Sequence, residues 1–344
     1  MAAIKGSRVA GALILGVLII LVVRFTNQQS DLTMVTLGGT TMGPIPYTIK
    51  YLHPESTSYQ TEVDSLLIAF NNSLSTYIPD SEISLFNDSN TITFQSEFLK
   101  TILVKTKEIY EITDGAFDPT VGPLVNSWGF GPGSEQNLLD SAVVDSLLTL
   151  VGFDQVQFDD YGATKTSAEV YLDFSAIAKG YGVDAVSEFL ESKGIANYMV
   201  EIGGEVRCKG KNSTGKNWLI GIDDPNVEQS ERRLKATVYL ENMSLATSGN
   251  YRNYYIKEGR KISHTISPFT GFPVEHSLLS ASVFAADCMS ADAFATGFMV
   301  MGYEKSLEVL EKLDNVEAFL IYSDEKGDIR TYATPGIENF LNVE

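Results

Sequence analysis

The chain has 344 residues, 44% of them hydrophobic and 20% charged, and a formal net charge of -19. That size and apolar content can bury a large core in one domain or two intimate lobes, and they exclude a chain that is disordered beyond its termini. The acidic balance excludes a nucleic-acid binder with a basic footprint, so any phosphate-bearing ligand must be held by local donors, a metal or a helix N-terminus.

At the N-terminus, Lys5 and Arg8 precede an apolar run from Val9 to Val23, and Arg24 closes it. As a helix this run covers about 22 Å, which Phe25 and some bilayer thinning can extend toward a hydrocarbon core of ~30 Å. Positive residues ahead of an apolar stretch read as an uncleaved signal-anchor, with no small-x-small cleavage site behind it and no cysteine for lipid attachment. The expected organisation is an anchor and linker over 1–30 and one domain over 31–344. The domain would be tethered to the inner membrane and lie on its extracytoplasmic (periplasmic) side. Cys208 and Cys288 are too few and too far apart for a disulfide framework or a zinc cluster.

Beyond the anchor, Met34–Leu37 and Tyr47–Tyr51 predict two strands around Gly38-Gly39 and Met42-Gly43-Pro44. Val63, Leu66, Leu67, Phe70 and Leu74 recur at helical spacing over 61–74. Ser96 is the expected cap of a helix to Ile112, stopped by Gly115, and a third helix is expected over 138–150. Val170–Phe174 reads as a strand, with a helix from Ala176 to Ser192 behind it. Strands follow at 198–202, 206–209, 218–222 and 236–240, with a polar loop over 223–233. Ser290 is expected to open a helix, 303–313 to form another, and 316–322 with 329–334 to form a closing hairpin. Without strict strand–helix alternation this order predicts an α+β fold rather than a doubly wound sheet, and neither a Gly-x-Gly-x-x-Gly nor a Walker loop is present.

Five segments carry candidate chemistry. In Ser290–Gly297, Asp292 and Thr296 are four apart on a helix, so a carboxylate and a hydroxyl share one face and suit a hard cation such as magnesium. In Leu172–Tyr181 a strand-like run ends in Asp173, and a helix opens with small residues and Lys179. A lysine there opposes the helix dipole, which points to an anion nearby. Gly115–Leu124 is a rigid Gly/Pro loop, and Phe117 with Trp128 could flank a flat ring. Ser248-Gly249-Asn250-Tyr251-Arg252 precedes the stretch from His264 to Gly271, where His264 stands among hydroxyls as a candidate proton acceptor.

In this order the segments resemble the ApbE-type family of FAD:protein FMN transferases, from about Thr41 to the end of the Asp292 helix. Thr41-Met42-Gly43, Ser75-Thr76-Tyr77, Asp80–Ser84, Gly115–Gly122, Asp173–Gly180, Gly203-Gly204, Ser248-Gly249, the His264 stretch and Ala291–Thr296 carry the resemblance. It implies an α+β, T-fold-related architecture of mixed sheets with packed helices. It also implies a Mg²⁺ site from the Ala176 carbonyl, Asp292 and Thr296, and FAD contacts at Met42, Tyr77, Ala116, Phe117, Asp118, Asp173, Lys179 and Ile266. The implied reaction transfers FMN from FAD to a Thr or Ser hydroxyl of an acceptor protein and releases AMP. His264 is the candidate base, Lys179 would stabilise phosphate charge, and Asp292 would act through the metal. The acceptor implied is a flavinylated subunit of a membrane redox complex or an extracytoplasmic reductase. Ser267 and Asn250 depart from the family, which usually carries Asp at the first position and often at the second. Two rivals share the same residues: a Mg²⁺-dependent FAD pyrophosphatase, with water in place of the acceptor, and a non-catalytic FAD-binding protein.

Overall fold

The structure, a computed structural model, describes residues 32–131, 135–224, 233–250 and 254–343. The expected anchor over 1–30 and the Tyr251-Arg252 pair lie outside these residues, as does most of the polar loop after Asp223. No helix among the described residues is long and apolar enough to cross a membrane.

Helices α1 (Gln60–Leu74), α2 (Glu82–Asn87), α3 (Glu97–Ile112), α4 (Gly122–Ser127), α5 (Ser141–Leu148), α6 (Ala178–Ser192), α7 (Cys288–Met301) and α8 (Tyr303–Leu310) surround the sheets. The main sheet runs β1 (Thr33–Thr41), β2 (Ile45–His53), β6 (Tyr198–Ile202), β7 (Glu205–Lys209), β10 (Met243–Gly249), β13 (Leu278–Ala285), β14 (Glu317–Ser323) and β15 (Ile329–Ala333), while β3 (Thr91–Thr93), β5 (Gly162–Lys165) and β4 (Val156–Phe158) make a small sheet and β11 (Tyr254–Lys257) pairs with β12 (Arg260–Ser263). All its ladders are antiparallel, which corrects the expectation of mixed sheets. Sequence-adjacent strands close as hairpins, and the α7–α8 pair between β13 and β14 returns the chain antiparallel as well.

The register explains the core. Tyr47, Ile49 and Tyr51 alternate inward on β2 and face Ile202, Val200 and Tyr198 on β6. Val63 and Leu67 of α1 and Val183, Val186 and Leu190 of α6 cover that face. At the other end, β14 is buried on both sides. Ala318 and Leu320 meet the helical layer, whereas Phe319 and Ile321 meet a second sheet made by β8 (Trp218–Asp223), β9 (Leu234–Leu240) and β16 (Leu341–Val343). α7 is apolar nearly all round because it lies inside, against β10 and β13 and beside α3 and α6.

Several expected boundaries move for physical reasons. α7 starts at Cys288, not Ser290, because the Asp287 carboxylate caps it by accepting from the Ser290 amide. α5 starts at Ser141, capped by Asp140. Ser96 stands at the start of α3 but gives its hydroxyl to the buried Glu82 carboxylate at 2.7 Å instead of capping the helix. Residues 170–174 form no strand. The Leu172 backbone bonds the Asn87 side chain at both ends, and the Asp173 amide bonds the Pro119 carbonyl, so no ladder is left to join. Ser175–Ile177 form a turn, and α6 begins at Ala178. Both cysteines are free and buried.

Candidate active site

The turn between β1 and β2 puts Met42 in the left-handed region (φ 49°), a conformation that a residue with a side chain adopts at some strain. It opens a cavity of about 450 Å³ whose lining includes Met42, Asn71, Thr76, Tyr77, Asp173 and Lys179. The cavity therefore gathers four of the expected flavin contacts from three separate stretches of chain. Tyr77 is 68% exposed at its rim, a large aromatic face offered to solvent. Asp173 organises the turn before α6, its carboxylate accepting from the Ser175 amide at 2.9 Å and the Ser175 hydroxyl at 2.5 Å.

At the inner end, α6 and α7 touch backbone to backbone. A Cβ on Gly180 would stand 2.2 Å from the Cys288 carbonyl oxygen and 2.8 Å from Asp292 Cβ. That closeness lets the Gly180 amide donate to Asp292 Oδ2 at 2.9 Å. The other oxygen, Oδ1, lies 3.9 Å from Lys179 Nζ, which is ion-paired with Glu205 Oε1 at 2.5 Å. One lysine thus stands between two buried carboxylates, and the cluster carries a net charge of -1 when all three are ionised. Burial pulls the Lys179 ammonium down, but Asp292 and Glu205 reverse this and hold it well above the usual lysine value. Burial pushes the Glu205 carboxyl up, while Lys179 holds it back down. Glu205 Oε2 has no hydrogen-bond partner.

Thr296 lies one turn beyond Asp292 on the same face, its Oγ1 3.2 Å from Ser248 Oγ. Asp292 and Thr296 set a carboxylate and a hydroxyl on one face of α7, oxygen donors of the kind a hard divalent cation takes, and Ala176 lies in the turn that precedes α6. Among the described residues no three His, Cys, Asp or Glu side chains are placed so that they could hold a metal ion by themselves. A cation bound here would therefore complete its shell with hydroxyl, carbonyl, water and substrate oxygens, as Mg²⁺ does.

The remaining expected residues lie elsewhere. Ala116, Phe117 and Asp118 are buried, and Phe117 packs against α7 at Gly297, directly behind Thr296, rather than lining the cavity. Phe117 and Trp128 belong to separate apolar clusters, so the flat-ring slot between them does not exist. Trp128 instead donates its indole N–H to the Gly271 carbonyl at 2.8 Å. Burial pushes the Asp118 carboxyl up to about 6 despite its hydrogen bonds from Thr120. Ile266 is buried with Leu124, Trp128 and Val144 and bridges to Pro273. The His264 ring stands edge-on to Phe130 at 6.3 Å, outside the cavity lining. The two departures have clear structural roles: Ser267 Oγ accepts from the Phe269 and Thr270 amides, as a capping carboxylate would, and Asn250 Oδ1 accepts from the Thr265 hydroxyl at 2.6 Å.

The sequence reading missed Glu205, although the Gly203-Gly204 turn places it first on β7 with its side chain inward. It also missed Asp184 of α6, whose carboxylate accepts from the Cys288 and Met289 amides and pairs with Arg207, docking the start of α7 onto α6.

A sequence profile of the ApbE family matches residues 42–320. An FAD:protein FMN transferase of Vibrio cholerae serotype O1 is 39% identical over 316 residues, covering 90% of this chain and 93% of the relative. One of Haemophilus influenzae is 41% identical over 315 residues, covering 87% and 89%. The solved flavin transferase ApbE from Vibrio cholerae superposes with a TM-score of 0.80 at 36% identity, covering 90% of this chain and 99% of that one.

Proposed function

The chain belongs to the ApbE family, and from that premise we propose that it transfers the FMN half of FAD to a Thr or Ser hydroxyl of an acceptor protein and releases AMP. The observation that carries the proposal is the joining of an open cavity, rimmed by Tyr77 and Met42, to the buried Lys179–Glu205–Asp292 cluster at its inner end. FAD would lie with an aromatic ring against Tyr77 and its pyrophosphate toward Lys179. Lys179 holds negative phosphate charge, and Glu205 keeps that ammonium charged and aimed. Asp292, Thr296 and the Ala176 carbonyl would hold Mg²⁺, which when bound supplies neutralisation of the pyrophosphate charge. The acceptor oxygen forms a bond to the FMN phosphorus, the bond from that phosphorus to the bridging oxygen breaks, and AMP leaves with the electron pair. The hydroxyl proton goes to a base, for which His264 is the candidate that the family resemblance supplies.

We also propose that residues 1–30 tether the enzyme to the inner membrane with its catalytic domain on the periplasmic side. The basis is the apolar run Val9–Val23 behind Lys5 and Arg8. The acceptor would then be a flavinylated subunit of a membrane redox complex or an extracytoplasmic reductase. The test is incubation of the full chain with FAD and an acceptor domain bearing a Thr or Ser flavinylation motif, with and without Mg²⁺, following AMP release. Metal-dependent AMP release that disappears in Asp292→Ala supports the site. Metal-independent release, or full release by the variant, overturns it.

A further inference from the structure

The segment 170–173 leads into the cavity at Asp173, yet it belongs to no strand or helix. Something else must fix it, because a free extended segment would leave buried amides and carbonyls unpaired. Two buried side chains do so. Asn87, the last residue of α2, donates from Nδ2 to the Leu172 carbonyl at 2.9 Å and accepts at Oδ1 from the Leu172 amide at 2.8 Å. Its side chain thus copies one rung of an antiparallel ladder across 85 residues of sequence. Lys165, also buried, donates to the Val170 carbonyl at 2.7 Å, to the Asn87 carbonyl at 3.0 Å and to the Ala168 carbonyl at 3.4 Å. It makes no direct ion pair, the Asp88 charge acting on it only from a distance, and its ammonium lies over the Phe86 ring at 5.2 Å. A buried lysine satisfied by carbonyls alone is an expensive device for mere packing, since an apolar side chain of similar volume would avoid desolvating a charge.

What the pair holds still is the cavity wall. Tyr171, between the two clamped positions, stands close enough to the Thr76 and Tyr77 side chains for both to act on its hydroxyl, and Thr76 and Tyr77 both line the cavity. Tyr171 also fills the space that any side chain at Gly122 would need, with Cδ1 2.7 Å from where that Cβ would stand. Asp173, the next residue after Leu172, also lines the cavity.

We propose that Asn87 and Lys165 are positioning residues for flavin binding. They clamp 170–172 so that Tyr171 steadies the Thr76-Tyr77 rim and Asp173 faces the cavity. The proposal deepens the transferase reading and rests on it. Asn87 and Lys165 act on FAD affinity rather than on the chemical step, because the α6–α7 contact holds Lys179 and Asp292 without them.

The test uses the full chain with Asn87→Asp, Lys165→Met and Asn87→Ala. Asn87→Asp keeps the acceptor for the Leu172 amide but sets an oxygen against its carbonyl. Lys165→Met keeps the length and removes the donors. FAD affinity is read by quenching of flavin fluorescence, and AMP release is measured at saturating FAD with Mg²⁺ and an acceptor domain bearing a Thr or Ser flavinylation motif. The apo melting temperature reports folding. The expected result is a rise of roughly tenfold or more in the FAD Kd and KM of Asn87→Asp and Lys165→Met, the order of one lost charge-assisted or buried hydrogen bond. The AMP release rate at saturation stays within about threefold of wild type. A folded variant with unchanged Kd and KM, whatever its melting temperature, overturns the proposal, because a merely structural clamp lowers stability and leaves the affinity of the folded fraction alone. Loss of the saturated rate without a change in Kd also overturns it. A wild-type chain that does not bind FAD overturns the underlying reading, and the clamp proposal with it.

Discussion

Replacing Gly180 by alanine adds one methyl where the structure has no room for it. The new Cβ would sit 2.2 Å from the Cys288 carbonyl oxygen, 2.7 Å from its carbon and 2.8 Å from Asp292 Cβ, all of them parts of α7. Those atoms are backbone or close to it, so they cannot swing aside and the two helices must part. Overpacking of this kind costs about 1–3 kcal/mol. Parting the helices also weakens the Gly180–Asp292 hydrogen bond, whose acceptor is charged and buried, a bond worth about 1.5–3 kcal/mol. The two losses overlap, so a net loss of about 3 kcal/mol is expected, or a fall in melting temperature of roughly 4–6 °C for a domain of this size. Moving Asp292 away from Lys179 by even an ångström should slow AMP release by about 100-fold. Gly182→Ala is the internal control. Its Cβ would meet Met42 Cε at 2.8 Å, the far end of a flexible side chain, so the melting temperature should change little while FAD affinity falls as Met42 shifts in the cavity. Calorimetry and an AMP assay on both variants decide the matter. Gly180→Ala with the wild-type melting point and rate would refute the claim that this contact sets the site.

Tyr77→Ala removes the exposed ring at the rim and should weaken FAD binding about tenfold by fluorescence titration, with no loss of thermal stability. Lys179→Met strands Glu205, whose side chain is 3% exposed and whose second oxygen already lacks a partner, at a cost of about 3 kcal/mol. Glu205→Gln added to that variant should recover most of the melting temperature and none of the activity. The folded chain holds a proton on Asp118 up to about pH 6, whereas the unfolded chain releases it near pH 4, so this group's stability contribution is present below pH 4 and is lost as pH rises through 6. Its size is about 3 kcal/mol at most, from roughly two pKa units. Asp184, pushed up by burial to about 6 against the pull of Arg207, contributes in the same direction. Asp118→Asn should therefore flatten the fall of melting temperature between pH 4 and 7, and an unchanged slope would count against it.

Local signals made much of this fold legible. The 3.6-residue period wrote α1 and α3 directly, and the inward alternation of Tyr47, Ile49 and Tyr51 wrote β2. β13 escaped because it is buried on both faces, so no alternation marks it, and Ser280 and Ser282 interrupt its apolar run at positions where Ser282 bonds Thr247 of β10. α2 is too short to show a period. Segment 170–174 misled because β-like residues there find their backbone partners on Asn87 and Pro119, an arrangement that only tertiary structure creates. The same limit applies to the site. Asp292 and Thr296 could be paired from spacing alone, but Glu205 reaches Lys179 only because β7 folds beside α6, and no local pattern announces it. Ala116–Asp118 and Ile266, taken over from the family resemblance, are buried and are not part of the cavity lining.

The most direct test of the central claim is covalent transfer itself. The full chain would be incubated with FAD, Mg²⁺ and an acceptor domain bearing a Thr or Ser flavinylation motif, with AMP and protein-bound flavin counted together after denaturation. The account predicts one AMP released for each flavin fixed on the acceptor, and neither product with Asp292→Ala. Free FMN accumulating with AMP while the acceptor stays unlabelled would contradict it and make water, not a protein hydroxyl, the nucleophile.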